Sequence, residues 1–369
     1  MVTTLLVLFL VFTFINILFY IGYFSFASAH SSNTEKSRIS VPISVIICAK
    51  NEAENLQKNL GSILKQEYPD FEVILINDAS TDETLEVMEG FAEKDPRIRI
   101  VNVQNNEAFW ANKKYSLTLG IKKAKNNFLL FTDADCIPAS EHWITGMSAR
   151  FTQEKSIVLG YGGYLKKSGS FLNKLIRFET LLTAIQYFSY SKWGIPYMGV
   201  GRNLAYTAKE FYDQNGFATH LQIRSGDDDL FVNHAANSTN TAVCFEKEAL
   251  TLSIPKTSFK AWITQKRRHI STAKHYKTLH KILLTTFYSS QFLFWLLLIL
   301  LLALQLNWQI VLGIFIVRLA VQFLIFYKSA KKLNEKDLVW IFPILEVILI
   351  STQLGIFITN IFSKPTHWK

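Results

Sequence analysis

The chain has 369 residues, of which 49% are hydrophobic, and a net charge of +10 at pH 7. This length allows one large domain or two ordinary ones, and the apolar fraction is high for a soluble protein. A membrane protein on an anionic leaflet explains the basic balance more simply than nucleic-acid binding does, so no nucleic-acid partner is expected. The three cysteines (Cys48, Cys136 and Cys244) have no zinc-type spacing and suit a reducing compartment without disulfides.

The first apolar segment runs from Leu5 to Phe26 and predicts a membrane helix, because it is long enough to cross a hydrocarbon core about 30 Å thick. The residues Ala27, Ser28 and Ala29 that follow it resemble a signal-peptidase site. However, no Lys or Arg precedes the apolar run, and the run is longer than the core of a signal peptide. Residues 1–30 are therefore predicted to form a retained transmembrane anchor, with cleavage as the alternative.

Residues 31–280 begin with an alternation of short β-branched runs and helical patterns. The runs at 43–52, 71–80, 97–103 and 127–136 predict buried strands. Such alternation indicates a right-handed, doubly wound, Rossmann-like α/β sheet, in which ligands bind at the carboxyl ends of the strands. No Gly-rich phosphate loop follows the first strand, which argues against a dinucleotide or P-loop enzyme. The polar residues at the predicted strand ends are Lys50, Asn51, Glu52, Asp78, Asp133 and Asp135.

The second half of the chain is dominated by long helical patterns. Residues 171–194 are amphipathic, and their periodicity fits a helix in the membrane interface and a packed core helix equally well. Three apolar segments then predict a membrane domain of three helices over residues 281–369, namely Ile282–Leu304, Trp308–Phe326 and Leu338–Phe362. The last of them differs from the others because it carries Glu346 and Gln353.

The distribution of basic residues predicts the orientation in the membrane. Lys36 and Arg38 follow the first helix, and a basic cluster lies between the third and fourth helices (Lys328, Lys331, Lys332 and Lys336). The positive-inside rule places both regions in the cytoplasm, so the body from 31 to 280 is expected to be cytoplasmic, in a bacterial-type inner membrane. Four crossings then place both ends of the chain outside, although Lys364 and Lys369 argue against this for the C-terminal end.

The segment "TDADC" places Asp133 and Asp135 directly at a strand end. Residues two apart in an extended backbone point to the same side, so both carboxylates can approach one hard cation. Mg²⁺ or Mn²⁺ held by one or two carboxylates and by substrate phosphates is the usual arrangement for diphosphate substrates. The alternative is a pair of aspartates that caps a surface turn or a helix.

Six segments, taken in order, resemble a family-2 glycosyltransferase with a GT-A fold. They span Pro42 to His269 and are "PISVIICAKNEAENL", "VILINDASTDET", "ANKKYSLTLGIKKAKNNFLLFTDADCIP", "GVGRNLAY", "GDDDLF" and "QKRRH". The resemblance implies that Ala49 and Glu52 lie against the nucleoside, Asp78 lies against the uracil or ribose, and Lys113 approaches the diphosphate. It implies that the two aspartates of "TDADC" hold the bridge between ribose, metal and diphosphate.

The segment "QKRRH" resembles the QxxRW motif of this family, with His269 where Trp is usual. Gln265 and Arg268 stand at i and i+3 and can face one side of a helix, where Arg268 would hold the departing diphosphate. The departure at His269 favours a non-processive enzyme. The alternative is a basic patch that binds anionic lipid, in which Lys266 and Arg267 would face the membrane.

Two further motifs leave alternatives open. In "GVGRNLAY", Asn203 is a candidate for hydrogen bonding to a sugar hydroxyl, and the alternative is a tight turn. In "GDDDLF", neighbouring carboxylates raise the pKa of one another, which suits a general base. One alignment with the family makes Asp228 the base and another makes it Asp227, while Asp229 would orient or cap.

These expectations combine into one hypothesis with two rivals. We expect inverting, metal-dependent, non-processive transfer of a sugar from a UDP-sugar to a lipid acceptor in the membrane. The first rival is a processive polysaccharide synthase that exports its glycan. The second is a non-catalytic membrane protein whose α/β body binds a nucleotide.

Overall fold

A computed structural model describes residues 2–30, 40–104, 113–223 and 225–362. The basic residues Lys36, Arg38, Lys364 and Lys369, on which the predicted orientation partly rests, lie outside the described residues. The strands are β1 (Ile43–Ala49), β2 (Phe71–Asp78), β3 (Ile98–Val103), β4 (Phe128–Asp133), β5 (Cys136–Pro138), β6 (Ile157–Leu159), β7 (Gly162–Tyr164), β8 (Leu204–Thr207), β9 (Thr241–Val243) and β10 (Thr251–Ser253).

The helices divide into those of the α/β body and those that are both long and apolar enough to cross a membrane. Those of the body are α2 (Ala53–Leu64), α3 (Thr84–Ala92), α4 (Lys113–Lys123), α5 (Trp143–Ser148), α6 (Phe171–Lys192), α7 (Ala208–Asp213), α8 (Asp229–Ala235) and α9 (Phe259–Ile270). The others are α1 (Val2–Ala27), α10 (Thr278–Ala303), α11 (Trp308–Lys332) and α12 (Phe342–Phe362). These four are long and apolar enough to cross a bilayer.

The main sheet has the strand order β3-β2-β1-β4-β8-β6-β9. Its first four strands are parallel, as the sequence predicts, while β8 runs antiparallel to both β4 and β6. A small second sheet has the order β5-β10-β7. The predicted α/β fold is confirmed, with a mixed sheet in place of a wholly parallel one.

The middle positions of β1, β2 and β4 are apolar because helices cover both faces of the sheet. In β1, Val45 and Ile47 point to the cluster formed with α2, α3 and α5, whereas Ile46 points to the cluster formed with α4 and α6. Side chains alternate between the faces of a strand, so the middle of a strand that is buried on both faces carries apolar side chains on both sides. In these three strands, the polar residues are therefore confined to the first two and the last two positions.

Helix α6 settles the two alternatives for residues 171–194 in favour of a packed core helix. Phe178, Ile185 and Tyr190 are fully buried, and the Tyr187 hydroxyl donates to the carbonyl oxygen of Gly160 at 2.8 Å. The helix begins at Ser170, whose side chain accepts a hydrogen bond from the backbone N–H of Asn173. Because α6 also contacts α1 and α12, it joins the sheet to the membrane helices.

A buried polar network ties the four apolar helices together. Arg318 of α11 pairs with Glu346 of α12 at 2.8 Å and donates to Asn16 of α1, also at 2.8 Å. Gln291 of α10 and Gln322 of α11 donate to the same carboxylate at 2.7 and 2.8 Å. A charge removed from water requires such complete pairing, so this network explains why an apolar segment carries Glu346.

Candidate active site

The carboxyl ends of β1, β2 and β4 open into a cavity of about 1160 Å³. The sheet contributes a group of polar residues to its wall: Lys50, Glu52, Asp78, Asp133 and Asp135. The cavity continues past the three consecutive aspartates and α9 to α6, α10 and α12. One continuous space therefore joins the strand ends to the helices of the membrane region.

Asp133 and Asp135 fit a divalent cation. Ligand atoms of these two residues and of Cys136 lie within 4.8 Å of one another. Burial, followed by the charge of Asp133, raises the pKa of the Asp135 carboxyl, and a bound cation would reverse this effect. The Cys136 thiol takes no part in our assignment, because it contacts the Ser253 hydroxyl at 3.0 Å and burial raises its pKa.

Lys113 joins the two acidic groups of the cavity. Its ammonium nitrogen lies 3.0 Å from Asp133 and 3.1 Å from Asp227. Burial disfavours the charge of Lys113, but the two carboxylates outweigh it and raise its pKa well above the ordinary value. Burial likewise opposes ionisation of Asp133, yet Lys113 holds the pKa of that carboxyl below its usual range. The sequence places Lys113 about 20 residues before Asp133, and only the fold makes them neighbours.

Lys114 has a different task, which sequence reasoning missed. Its side chain is buried, and its ammonium donates to the carbonyl oxygens of His220, Ile223 and Ser225, each at 2.8 Å. Adjacent residues of a helix point about 100° apart, so Lys113 faces the cavity while Lys114 faces this loop. Lys114 thereby anchors the segment that leads into the aspartates. The available signal was the Lys-Lys pair at the start of α4.

The three consecutive aspartates occupy three different environments. Asp227 pairs with Lys113, and Asp229 accepts hydrogen bonds from the hydroxyls of Thr272 and Tyr276. Asp228 caps α8 and accepts from the backbone N–H groups of Gly201 and Asp229, both at 2.7 Å. Burial, together with the charges of Asp227 and Asp229, raises the pKa of Asp228 to about 7. Asp228 can therefore exchange a proton near neutral pH.

Asp78 lies in the cavity, and its two carboxylate oxygens differ in their hydrogen bonding. One carboxylate oxygen accepts a hydrogen bond from the Ser116 hydroxyl. The other is buried and has no hydrogen-bond partner among the described residues. A buried acceptor that stays unsatisfied costs free energy, so this oxygen is available for a donor on a ligand. Glu52 also lines the cavity, with a carboxylate oxygen 2.5 Å from the Asn55 amide.

Two candidate donor-site residues, Ala49 from the resemblance and Asn203 from its amide group, do not present their side chains to the cavity. The methyl group of Ala49 is buried in the cluster beneath β1, whereas Cys48 and Lys50 line the cavity. Asn203 is fully buried, and its amide nitrogen donates to the carbonyl oxygens of Tyr161 and Ala249 at 3.0 and 2.8 Å. The expectation that Asn203 binds a sugar hydroxyl is therefore wrong, because the structure itself uses both its donors and its acceptor.

Arg202, the neighbour of Asn203, is the cation that the sequence analysis overlooked. Its guanidinium donates to Gly163 and Ser253 at 3.1 Å and stacks over the Tyr164 ring, 4.3 Å from the centroid. It lines the cavity, and its charge lowers the pKa of Asp133. The signal was an Arg between two turn-forming residues in "GVGRN", which on its own is too common to single out.

Helix α9 brings Gln265 and Arg268 to the cavity together. The Gln265 side-chain oxygen is buried without a hydrogen-bond partner in the described part of the chain, and Arg268 lies close enough to Asp133 to lower its pKa. Enclosure, then the charges of Lys266 and Arg268, lower the pKa of His269 well below its usual value. The ring is therefore neutral at pH 7.

The alternative in which Lys266 and Arg267 face the membrane does not fit their contacts within the protein. Lys266 forms an ion pair with Glu179 of α6 at 2.5 Å, and both side chains are largely buried. The Nε of Arg267 donates to the side-chain oxygen of Asn360 in α12 at 2.8 Å. Both cations therefore connect α9 to other helices of the protein.

Replacing Asn203 distinguishes a core residue from a sugar ligand. Asn203→Ala leaves the indole N–H of Trp143 and the carbonyl oxygen of Ala249 without the partner they have in the structure, while the Tyr161 carbonyl keeps the Thr251 N–H. We expect a loss of unfolding free energy of at least about 2 kcal/mol, since each of the two unsatisfied buried groups costs about 1–3 kcal/mol. Thermal unfolding in detergent measures it, and Asn237→Ala in an exposed turn is the control. An unchanged melting temperature with a weaker affinity for the sugar donor would contradict the core role.

Comparison with known proteins agrees with the geometry. The family model "Glycosyl transferase family 2" matches residues 44–210, which reach from β1 to the start of α7. An uncharacterized glycosyltransferase of Haemophilus influenzae is 31% identical over 155 residues, or 42% of this chain and 44% of the relative. The poly-beta-1,6-N-acetyl-D-glucosamine synthase of Staphylococcus epidermidis is 36% identical over 95 residues, or 26% of this chain and 22% of the relative. The chain thus spans less than half the length of these relatives.

A solved structure extends the likeness in fold to most of the chain. The mannosyltransferase PcManGT from Pyrobaculum calidifontis, in complex with GDP-Man and Mn²⁺, superposes with a TM-score of 0.59. The match covers 94% of this chain and 97% of the other, at 16% sequence identity. At this identity the likeness concerns the fold alone, and it confirms the expected GT-A architecture.

Proposed function

The chain carries a family 2 glycosyltransferase domain with the GT-A fold, and from this premise we propose that it transfers a sugar from a UDP-sugar to a lipid acceptor in the membrane. The reaction is inverting, metal-dependent and non-processive, and the α/β body works on the cytoplasmic side of a bacterial inner membrane. The observation that carries the proposal is the single cavity that joins the acidic strand ends to the membrane helices.

The donor site is assigned to the strand ends. Asp133 and Asp135 would hold Mg²⁺ or Mn²⁺, which supplies positive charge to the diphosphate. Lys113, Arg202 and Arg268 add fixed cations around the same space. The free carboxylate oxygen of Asp78 suits the imide N–H of uracil. A guanine base also offers N–H donors to a carboxylate, so the donor test below includes GDP-sugars.

Asp228 is the base of the proposed reaction. As the acceptor hydroxyl oxygen attacks the anomeric carbon, Asp228 takes its proton, and the bond from that carbon to the diphosphate oxygen breaks. The electron pair leaves with UDP, whose charge meets Lys113 and Arg268. Asp227 suits this role less well because its charge is already paired with Lys113, at 3.1 Å. Asp229 instead fixes the segment after α9 through Thr272 and Tyr276.

Packing in the membrane region favours a lipid acceptor over an exported polymer. The outer half of the membrane region contains a cluster of buried apolar residues from α1, α10 and α11, among them Phe9, Phe294, Leu301 and Val311. A hydrated glycan needs a polar path across the bilayer, and this apolar packing opposes one. One of the relatives is a poly-beta-1,6-N-acetyl-D-glucosamine synthase of S. epidermidis, so a processive polysaccharide synthase is the rival function.

The proposal is tested with membranes that contain the protein and a panel of radiolabelled UDP- and GDP-sugars. We expect label from a UDP-sugar to enter the lipid extract, EDTA to abolish the transfer, and Mn²⁺ or Mg²⁺ to restore it. Label found only in high-molecular-weight polymer would support the processive synthase. UDP binding without transfer of any sugar would support the non-catalytic reading.

Substitutions separate the base from the metal site. Asp228→Asn should lower the transfer rate by about 10²–10⁴-fold, the usual contribution of a general base, while UDP affinity survives. Asp135→Asn should lose both transfer and UDP affinity, because the metal links the protein to the diphosphate. Titration calorimetry with UDP and the lipid-transfer assay give the two readings, and the exposed Asp213→Asn is the control. If Asp227→Asn is inactive and Asp228→Asn active, the base is Asp227.

The rate should depend on pH through Asp228. A base works when deprotonated, so kcat/KM should rise tenfold per pH unit below about 7 and level off above it. The carboxylates of Asp227 and Asp229 raise this pKa, while the Gly201 N–H and Lys113 lower it. Asp227→Asn should therefore shift the rise to lower pH. A flat profile between pH 5.5 and 8 would contradict the assignment.

The raised pKa of Asp228 also predicts how its contribution to folding stability depends on pH. The pKa of Asp228 is raised in the folded state, so the stability it contributes is present at low pH and is lost as the pH rises through about 7. At pH 8 we therefore expect Asp228→Asn to melt at the same temperature as the wild type or higher. Such a result, measured by thermal unfolding, separates loss of catalysis from loss of folding.

A further inference from the structure

The outer half of the membrane region is built by three helices. Its cluster of buried apolar residues includes Phe9 of α1, Phe294 and Leu301 of α10, and Val311 of α11. No residue of α12 belongs to it among those the structure describes. The buried apolar residues of α12, such as Leu345 and Leu349, instead belong to the large cluster shared with α6 and the sheet. A helix that crosses the whole bilayer would reach both layers.

The beginning of α12 is tied to the α/β body. In the turn before it, Asp337 accepts a hydrogen bond from Arg177 of α6 at 2.8 Å and one from Lys166 at 3.0 Å. Phe342, the first residue of α12, stacks on Phe326 near the end of α11, with ring centroids 5.1 Å apart. This end of α12 therefore lies on the side of the membrane that faces the catalytic cavity.

The far end of α12 returns to the same side. Asn360 accepts from Arg267 of α9 at 2.8 Å, and the Phe357 ring lies 5.6 Å from that of Tyr288. Tyr288 stands only about 15 Å along α10 from Thr278, at about 1.5 Å per residue. A crossing α12 would by then lie beside the other end of α10. Both ends of α12 thus contact elements next to the body.

One face of α12 forms a wall of the catalytic cavity. Leu349, Thr352, Gln353, Ile356 and Asn360 recur at helical spacing and line the cavity that contains Asp228. The opposite face is exposed and apolar, with Ile344, Ile358 and Phe362 on it. A helix with one face in a protein cavity and an apolar outer face is suited to lie along a leaflet.

We propose that α12 lies along the cytoplasmic leaflet and forms the membrane-side wall of the acceptor site, where it binds an uncharged, hydroxyl-bearing lipid headgroup. The headgroup reaches Asp228 between α12 and α10, across the side chains of Thr352, Gln353 and Thr285, while the tail stays in the inner leaflet. The binding of an acceptor headgroup rests on the proposed function, whereas the position of α12 along the leaflet does not.

The chemistry of the wall selects the headgroup. Thr352, Gln353 and Thr285 offer neutral hydroxyl and amide groups, which hydrogen-bond to hydroxyls. Lys266, a cation of α9 that faces α6, is paired with Glu179 at 2.5 Å. Three further lysines line the cavity, Lys256, Lys274 and Lys281, and all three are exposed, so that solvent and salt screen their charge. An anionic headgroup would also approach the carboxylates around Asp228, which repel it. A neutral sugar or glycerol headgroup meets no such repulsion.

The topology also resolves a conflict in the charge pattern. With α12 along the leaflet, the chain crosses the bilayer three times, and α12 ends on the cytoplasmic side. Lys364 and Lys369 follow directly after Phe362 in the sequence. The positive-inside rule favours the cytoplasm for such residues, whereas four crossings would place them outside.

Cysteine labelling tests the topology without any need for activity. Single cysteines are placed in the full chain, with the three native ones replaced, as Lys336→Cys before α12, Lys364→Cys after it, and Leu304→Cys between α10 and α11. We expect an impermeant maleimide to label Leu304→Cys in intact cells, and Lys336→Cys and Lys364→Cys only after permeabilisation. Labelling of Lys364→Cys in intact cells, like Leu304→Cys, would overturn the proposed position of α12.

A matched pair of substitutions tests the acceptor wall. Ile356 is 3% exposed and lines the cavity, whereas Ile358 is 49% exposed on the outer face. Ile356→Trp should lower transfer to lipid at least tenfold and raise the KM for a neutral glycolipid acceptor, with UDP binding and melting temperature kept. Ile358→Trp should change neither by more than twofold. Equal effects of Ile356→Trp and Ile358→Trp would overturn the assignment of α12 as the acceptor wall. If the wild type transfers no sugar, the proposed function fails, while the labelling result on the position of α12 still stands.

Discussion

The ammonium group of Lys113, held between Asp133 and Asp227, is the contact on which the rest of the site depends. Parallel strands end at one edge of the sheet, so their carboxylates converge and repel one another. Lys113, which lies between the two acidic groups, offsets this repulsion. It also sets their distance, because each carboxylate lies about 3 Å from the same nitrogen.

This contact divides the work of the three adjacent aspartates. Asp227 is neutralised by Lys113, and Asp229 is taken up by the hydroxyls of Thr272 and Tyr276. Asp228 accepts hydrogen bonds from two backbone N–H groups of the described residues, and burial together with its charged neighbours raises its pKa to about 7. Three identical side chains thus acquire three roles from their partners. The acidic run, which local repulsion disfavours, is stable because two of its members are paired.

The body and the membrane helices share one set of contacts around the cavity. Helix α6 packs on the sheet and on α1 and α12, and Glu179 at its centre pairs with Lys266 of α9. Arg267 of α9 in turn holds Asn360 of α12. A displacement of α9, which carries Arg268, would therefore be transmitted to α12 through direct contacts. Lys266 and Arg267 of the basic segment "QKRRH" therefore connect helices within the protein.

The sequence by itself determined the α/β order, the apolar helices and the acidic strand ends, because hydrophobic periodicity and strand-end polarity are local properties of the chain. Only the tertiary structure decided that Asn203 is a core residue and that Lys114 and Arg202 serve the site. Their roles depend on partners distant in sequence: Ala249 for Asn203, and Ser253 for Arg202. The course of α12 was likewise hidden, since apolar length allows a crossing and only contacts at both of its ends give its direction.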